Sequence, residues 1–161
     1  MPSYEFIDVV DDADTVIGRS TAQDAYTRGL NHRVVHIFIL NDQNDIALQK
    51  RRAGIDYAPN CWSASATGHV LNNETYRKAA QRITKTHLGI TPELKFSGKL
   101  AYRDPKGYTK YLGVFAAAHN GPFRINANDI ETINFFSRNA IEEMSDSGAP
   151  LQPELIFILR S

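Results

Sequence analysis

The span from Gly68 to Ile90 limits what this chain can fold into more than any other part of it. Gly68 is followed after five residues by Glu74, Glu74 after seven more by Arg82, and Leu88-Gly89-Ile90 closes the run. Tyr76, Ala79, Ala80, Ile83 and Leu88 recur at helical spacing, so Thr75 to Leu88 is expected to be a helix with Gly89 as its left-handed cap. Glu74 and Arg82 lie about two helical turns apart, and they are expected to brace the loop against the helix. Gly68 is expected to permit the tight turn into that loop. Positions 83, 86 and 87 share one helical face. Carboxylates there would make a hard, oxygen-rich site for a cation such as Mg²⁺. The residues present are Ile83, Thr86 and His87. Isoleucine has no ligand atom, threonine is a weak ligand, and neutral imidazole suits zinc or copper better than magnesium.

The rest of the chain gives that helix a mixed α and β setting. Glu5 to Val10 and Thr15 to Ile17 read as short strands around a polar turn, with Ser20 as the cap of a helix from Thr21 to about Leu30. Arg33 to Leu40 is dense in β-branched and aromatic residues and turns at Asn41 to Asn44 into Ile46 to Arg52, a predicted hairpin. Ser63 to Ala66 leads into the Gly68 loop. Leu94 to Arg103 and Tyr108 to Ala118 flank the turn signal Asp104-Pro105-Lys106-Gly107. Ile130 to Phe136 reads as a further strand, Ser137 as the cap of a helix through Met144, and Pro153 as the opening of a terminal helix.

Length and charge narrow the class. A chain of 161 residues is one domain, 1–161, with enough length for a real core. Eighteen basic side chains balance eighteen acidic ones, so no net field draws it to nucleic acid or to a membrane. There is no basic-then-apolar opening and no apolar run of bilayer length, and a single cysteine, Cys61, fits a reducing compartment. A cytoplasmic location is the resulting expectation.

The spacing of Gly68, Glu74, Arg82, Gly89 and Ile90 resembles the Nudix box without insertion or deletion. The likeness extends over roughly residues 4 to 137. Glu5 to Val10, Val16-Ile17-Gly18-Arg19, His32-Arg33, Leu48 to Arg52, Trp62 to Ser65 and Gly68-His69 are similar to a Nudix subgroup related to isopentenyl-diphosphate isomerase. The resemblance implies an α+β fold, the Nudix α/β/α sandwich around a mixed sheet, and a chemistry of diphosphates. This chain departs from it at the acidic positions of the box. It also departs from the isomerase pattern, where Thr67 stands in place of a catalytic cysteine, and Lys110 and Leu112 in place of two glutamates. Isomerase activity is therefore not expected.

Three functional readings remain open. One is a protein that keeps a pocket for a nucleotide or small diphosphate but lacks ordinary Mg²⁺-dependent hydrolysis. Another is a diphosphate hydrolase with unusual metal use through the catalytic candidates Glu74, His69 and His87. The third is an interaction module that binds no phosphate. No cofactor is required by the pattern, although a divalent metal on His69, His87 and His32 is one possibility, set against histidines that simply pack and hydrogen-bond. Lys50, Arg51 and Arg52 end a strand where the resemblance implies a diphosphate clamp, and a solvated strand end is the alternative. Tyr57 and Trp62 either line a pocket or seal the core. Asp8, Asp11, Asp12 and Asp14 are expected to form a solvated turn. The apolar tail Leu155 to Leu159 is expected either to pack on the domain or to meet a second copy as a homodimer.

Overall fold

The computed structural model describes residues 5–55 and 57–161. Among them are nine strands and four helices. Strand β1 (Phe6–Val10) pairs antiparallel with β2 (Val16–Thr21), and helix α1 (Ala22–Arg28) follows directly. The expected cap at Ser20 is corrected here. Ser20 lies in the strand opposite Ile7, and Thr21 caps α1 by accepting from the backbone N–H of Asp24. The hydroxyl one residue later reaches an orphan N–H of the first turn, which is the stronger demand on a cap.

The centre of the sheet is β3 (His32–Leu40), whose apolar run is buried on both faces. It lies parallel to β8 (Thr109–Ala118), which pairs antiparallel with β7 (Lys95–Arg103). The hairpin partner of β3 is β4 (Ile46–Arg51), but the two strands pair only at Leu40 and Ile46. Beyond that point the sheet forks. β3 turns to β6 (Ala66–His69), while β4 pairs with β5 (Trp62–Ser63) and β9 (Ile130–Phe136). Ser65 stitches the crotch of the fork: its Oγ accepts from the Ile39 N–H at 2.8 Å and donates to the Ala47 carbonyl at 2.5 Å. Gln49 Nε2 donates to the Ser65 carbonyl at 3.1 Å.

Helix α2 (Tyr76–Leu88) covers one face, with Ala79, Ala80, Ile83 and Leu88 packed against Val35, Ile37, Ile39 and Phe115. Thr75 caps it through the Lys78 N–H, and Gly89 ends it at φ 68° with its N–H on the Lys85 carbonyl. Helices α3 (Arg138–Asp146) and α4 (Pro153–Leu159) cover the opposite face, where Ile141 and Leu155 join Phe38, Ile46, Leu48 and Val114. The result is an α/β/α sandwich around a mixed sheet. The terminal apolar run packs on its own domain through Leu155, Ile158 and Leu159.

The acidic turn after β1 differs from its sequence reading. Asp8 and Asp14 are buried, and only Asp11 and Asp12 face water to any degree. Asp14, at φ 59°, accepts from Arg33 Nε at 2.7 Å, from Lys99 Nζ at 2.9 Å and from the Tyr76 hydroxyl at 2.8 Å. Burial alone would raise its pKa, but these three donors hold it below the usual carboxylate range. The turn thus ties β3, β7 and α2 together.

Candidate functional site

A cavity opens between the arms of the fork. Its inner chamber, of about 210 Å³, is floored by Val34, His36, Thr67 and Gly68, and bounded by residues that include Arg51, His87, Lys110 and Glu154. An outer chamber of about 590 Å³ adjoins it, carrying Asp104, Lys106 and Tyr108 on its wall. Tyr26, Arg51, Tyr57 and His69 border both chambers and form the collar between them.

The loop entering α2 is braced from below. Arg82 Nε donates to Glu74 Oε2 at 2.9 Å, and its Nη2 donates to Glu74 Oε1 at 3.0 Å and to the His69 carbonyl at 2.9 Å. Glu74 Oε1 also accepts the Leu71 N–H at 3.0 Å. Burial opposes the carboxylate, yet the Arg82 fork and the backbone N–H lower its pKa below the ordinary value. Glu74 is therefore engaged with the loop. Gly68 does not form the expected tight turn: it lies in β6 opposite Val35, and its lack of a side chain serves close packing, since an added Cβ would stand 2.7 Å from Ile83 Cδ1. Of the three positions that follow Arg82 on the shared face, Ile83 is 2% exposed within the core. Thr86 is exposed, and His87 borders the inner chamber.

His32, His36, His69 and His87 gather at or beside the cavity, uncharged at neutral pH. Burial lowers the pKa of His36 to about 4, of His32 to about 4 and of His69 to about 3, with the neighbouring Lys110 pushing each further down. Burial also lowers His87. His69 Nε2 lies 2.9 Å from the Tyr26 hydroxyl, and the His32 and His69 rings are 5.6 Å apart. His32 Nδ1 donates to the Leu30 carbonyl at 2.9 Å, which leaves its Nε2 as a lone pair. His32 and His69 thus approach each other, while His36, His69 and His87 border the same chamber. Among the described residues no three His, Cys, Asp or Glu side chains come together as a metal-holding group.

The basic run divides by side of strand. Arg51 turns into the cavity, where its Nε donates to the Tyr57 carbonyl at 3.1 Å. Burial lowers its pKa, although a guanidinium stays protonated at neutral pH. Lys50 points away and meets Glu131 at 3.5 Å. Arg52 donates to the Ala127 carbonyl at the surface. Tyr57 is a cavity wall, whereas Trp62 packs edge-on against Phe136 on the far side of the sheet, 5.1 Å between ring centroids.

Sequence reasoning missed the contribution of α4. Glu154, 1% exposed, receives Lys110 Nζ at 2.7 Å and the Tyr57 hydroxyl at 2.6 Å on the same oxygen. Lys110 is itself 1% exposed and sits 4.0 Å from the Tyr57 ring centroid and 4.9 Å from that of Tyr26. Burial opposes the Glu154 charge, but the ammonium and the phenol lower its pKa below normal. The signal available in the sequence was a lone glutamate at the start of an otherwise apolar helix.

Fold and site together define a Nudix-type domain, and the NUDIX domain family model matches residues 30–156; the chain belongs to that family. It is 30% identical over 164 residues to an uncharacterized Nudix hydrolase of Nostoc sp., covering 99% of this chain and 96% of that one. It is 28% identical over 127 residues to isopentenyl-diphosphate Delta-isomerase 2 of Aromatoleum aromaticum, covering 76% of this chain and 67% of that one. The crystal structure of DR0079 from Deinococcus radiodurans superposes with a TM-score of 0.86 at 21% identity, covering 97% and 98% of the two chains.

Proposed function

We propose that this protein is a Nudix-fold binder of a nucleotide or small diphosphate that lacks the family's ordinary Mg²⁺-dependent hydrolysis. The observation that carries the reading is the fate of the face after Arg82. Ile83 is part of the core, Thr86 lies outside the cavity, and His87 offers it only a neutral imidazole. A hard cation that needs several oxygen ligands does not fit this donor set. Glu74, the remaining carboxylate of the motif, is held by Arg82 and the Leu71 N–H. Lys110 adds an ammonium at the same cavity. Arg51 is the side chain of the basic run suited to a phosphate oxygen, since it alone of the three borders the cavity.

The test is phosphate release from a panel of nucleoside, sugar and prenyl diphosphates with Mg²⁺, Mn²⁺ or Zn²⁺ and a chelator control. Binding of a panel member without turnover under any metal is the expected result. Turnover that the chelator abolishes would overturn the proposal and point to metal use through His69 and His87.

A further inference from the structure

The inner chamber leaves an unusual set of polar atoms unanswered. Among the described residues, His36 Nδ1 and Nε2, His87 Nδ1, Gln152 Oε1 and Glu154 Oε2 are buried and meet no hydrogen-bond partner, and all five atoms belong to side chains that border this chamber. His36, Gln152 and Glu154 are each less than 5% exposed. Buried polar atoms are rarely left unpaired, and a cluster of them around a cavity marks where a polar guest belongs.

Their chemistry says what kind of guest. Gln152 Oε1 and Glu154 Oε2 are acceptors and call for N–H or O–H donors. A fully ionised phosphate brings only acceptors and negative charge. Among the described residues, the charged side chains bordering the chamber are two cations, Arg51 and Lys110, and two carboxylates, Asp129 and Glu154. The positive charge of Lys110 is already committed to Glu154 at 2.7 Å. Counted together these charges cancel, so the chamber carries no net positive charge to balance a diphosphate, and a dianion there would face two carboxylates. At about 210 Å³ it is smaller than a typical whole-ligand pocket, and is sized for a ring rather than an entire nucleotide.

The outer chamber has the opposite character. It is larger, and among the described residues its bordering cations, Arg51 and Lys106, outnumber its one carboxylate, Asp104. Tyr26 and Tyr57 lie near parallel at the collar, 17° between planes and 5.5 Å between centroids, so a flat group passing between the chambers has aromatic surface beside it.

We propose that the inner chamber recognises the uncharged heterocycle of a nucleotide-like ligand, a planar ring with an N–H or amino donor beside a carbonyl, while the phosphates stay outside at Arg51 and Lys106. The donor edge answers Glu154 Oε2 and Gln152 Oε1, and the ring's acceptor faces the imidazole N–H of His36. This rests on the ligand-binding reading above and adds the orientation: base inward, phosphate outward. The glutamine and glutamate that select the ring come from the start of α4, so specificity is delivered by the tail of the domain.

The experiment is titration of the protein with uncharged nucleosides and, separately, with inorganic diphosphate. It is followed by calorimetry and by the imidazole NMR resonances of His36 and His87. At least one nucleoside is expected to bind and to move both sets of resonances, whereas diphosphate leaves them in place. Gln152→Met, which keeps the side-chain length but removes the acceptor, is expected to weaken the nucleoside about tenfold and leave diphosphate unchanged. Lys106→Ala is expected to weaken the nucleoside diphosphate relative to its nucleoside. Diphosphate that moves the His36 resonances overturns the orientation. So does a nucleoside panel that fails to bind while diphosphate or a nucleotide does bind, and the binding reading then survives alone. Binding of a nucleoside but of no phosphate compound supports the chamber assignment and removes the diphosphate reading, and binding of neither removes both. The resonance test uses the unaltered protein, so it stands even if a variant folds poorly.

Discussion

Replacing Lys110 by methionine removes one member of a buried ion pair while nearly keeping its volume. Lys110 and Glu154 are both about 1% exposed, with Nζ and Oε1 2.7 Å apart. Among the described residues, methionine leaves Glu154 with the Tyr57 hydroxyl as its one side-chain donor and no paired counter-charge. Stranding a buried carboxylate in this way costs about 3–5 kcal/mol. For a domain of this size that is a fall in Tm of roughly 6–20 °C. The pH dependence supplies a second signature. In the native protein the Glu154 pKa is lowered, so its contribution is present above the unfolded carboxyl pKa and is lost as pH falls through the folded value. In Lys110→Met burial outweighs the Tyr57 hydrogen bond that remains and raises the pKa, so the variant's deficit is largest near neutrality and shrinks toward pH 5. Urea unfolding at pH 7 and pH 5 measures both effects. Lys110→Met with Glu154→Met should recover most of the loss, since two apolar side chains replace the pair. A deficit below about 1 kcal/mol at pH 7, equal at pH 5 and unimproved in the double variant, would refute the reasoning and mean that Glu154 is hydrated.

Two further outcomes follow from the same geometry. His32, His36 and His69 have folded pKa values of about 4, 4 and 3, against 6.5 in the unfolded chain, so the unfolded state takes up protons first on acidification. Stability should hold above about pH 6.5 and fall toward pH 4 by up to about 1.4 kcal/mol per pH unit for each histidine. His36→Phe should flatten that fall in urea titrations, and an unchanged slope would contradict it. Gly68→Ala should cost about 1–3 kcal/mol through the Ile83 Cδ1 contact, and Ile83→Val, which shortens that side chain, should relieve about 1 kcal/mol of it in a double-mutant cycle. Strict additivity would show that β6 moves aside freely.

Local pattern carried the elements of the fold because each is written within a short window. The apolar spacing of 76, 79, 80, 83 and 88, closed by Gly89, needs only helical periodicity, and helix α2 ends where that glycine enters φ 68°. The turn at Asp104 to Gly107 is likewise set by its own residues, with Lys106 N–H on Asp104 Oδ1 and Gly107 N–H on the Asp104 carbonyl. The cap of α1 slipped by one residue: Ser20 and Thr21 are both competent caps and both pair within β2, but the Ser20 hydroxyl donates to the Thr21 carbonyl while Thr21 Oγ1 accepts the Asp24 N–H. Asp14 looked like part of a solvated turn because its partners Arg33, Tyr76 and Lys99 lie 19 to 85 residues away.

The division between the two levels of information is clearest at the cavity. Sequence alone determined the strand and helix order, the loop frame from Gly68 to Gly89, and the absence of carboxylates at 83, 86 and 87, all of which depend on residues near one another in the chain. It could not choose among Lys50, Arg51 and Arg52, because alternation assigns faces without saying which face meets a pocket. Only the tertiary structure decided that Arg51 turns inward, that the sheet forks after Leu40 and Ile46, and that α4 brings Glu154 onto Lys110 from 44 residues away. Those features exist only once distant segments share a space, and the charge balance of the cavity is set there, by which side chains burial forces together.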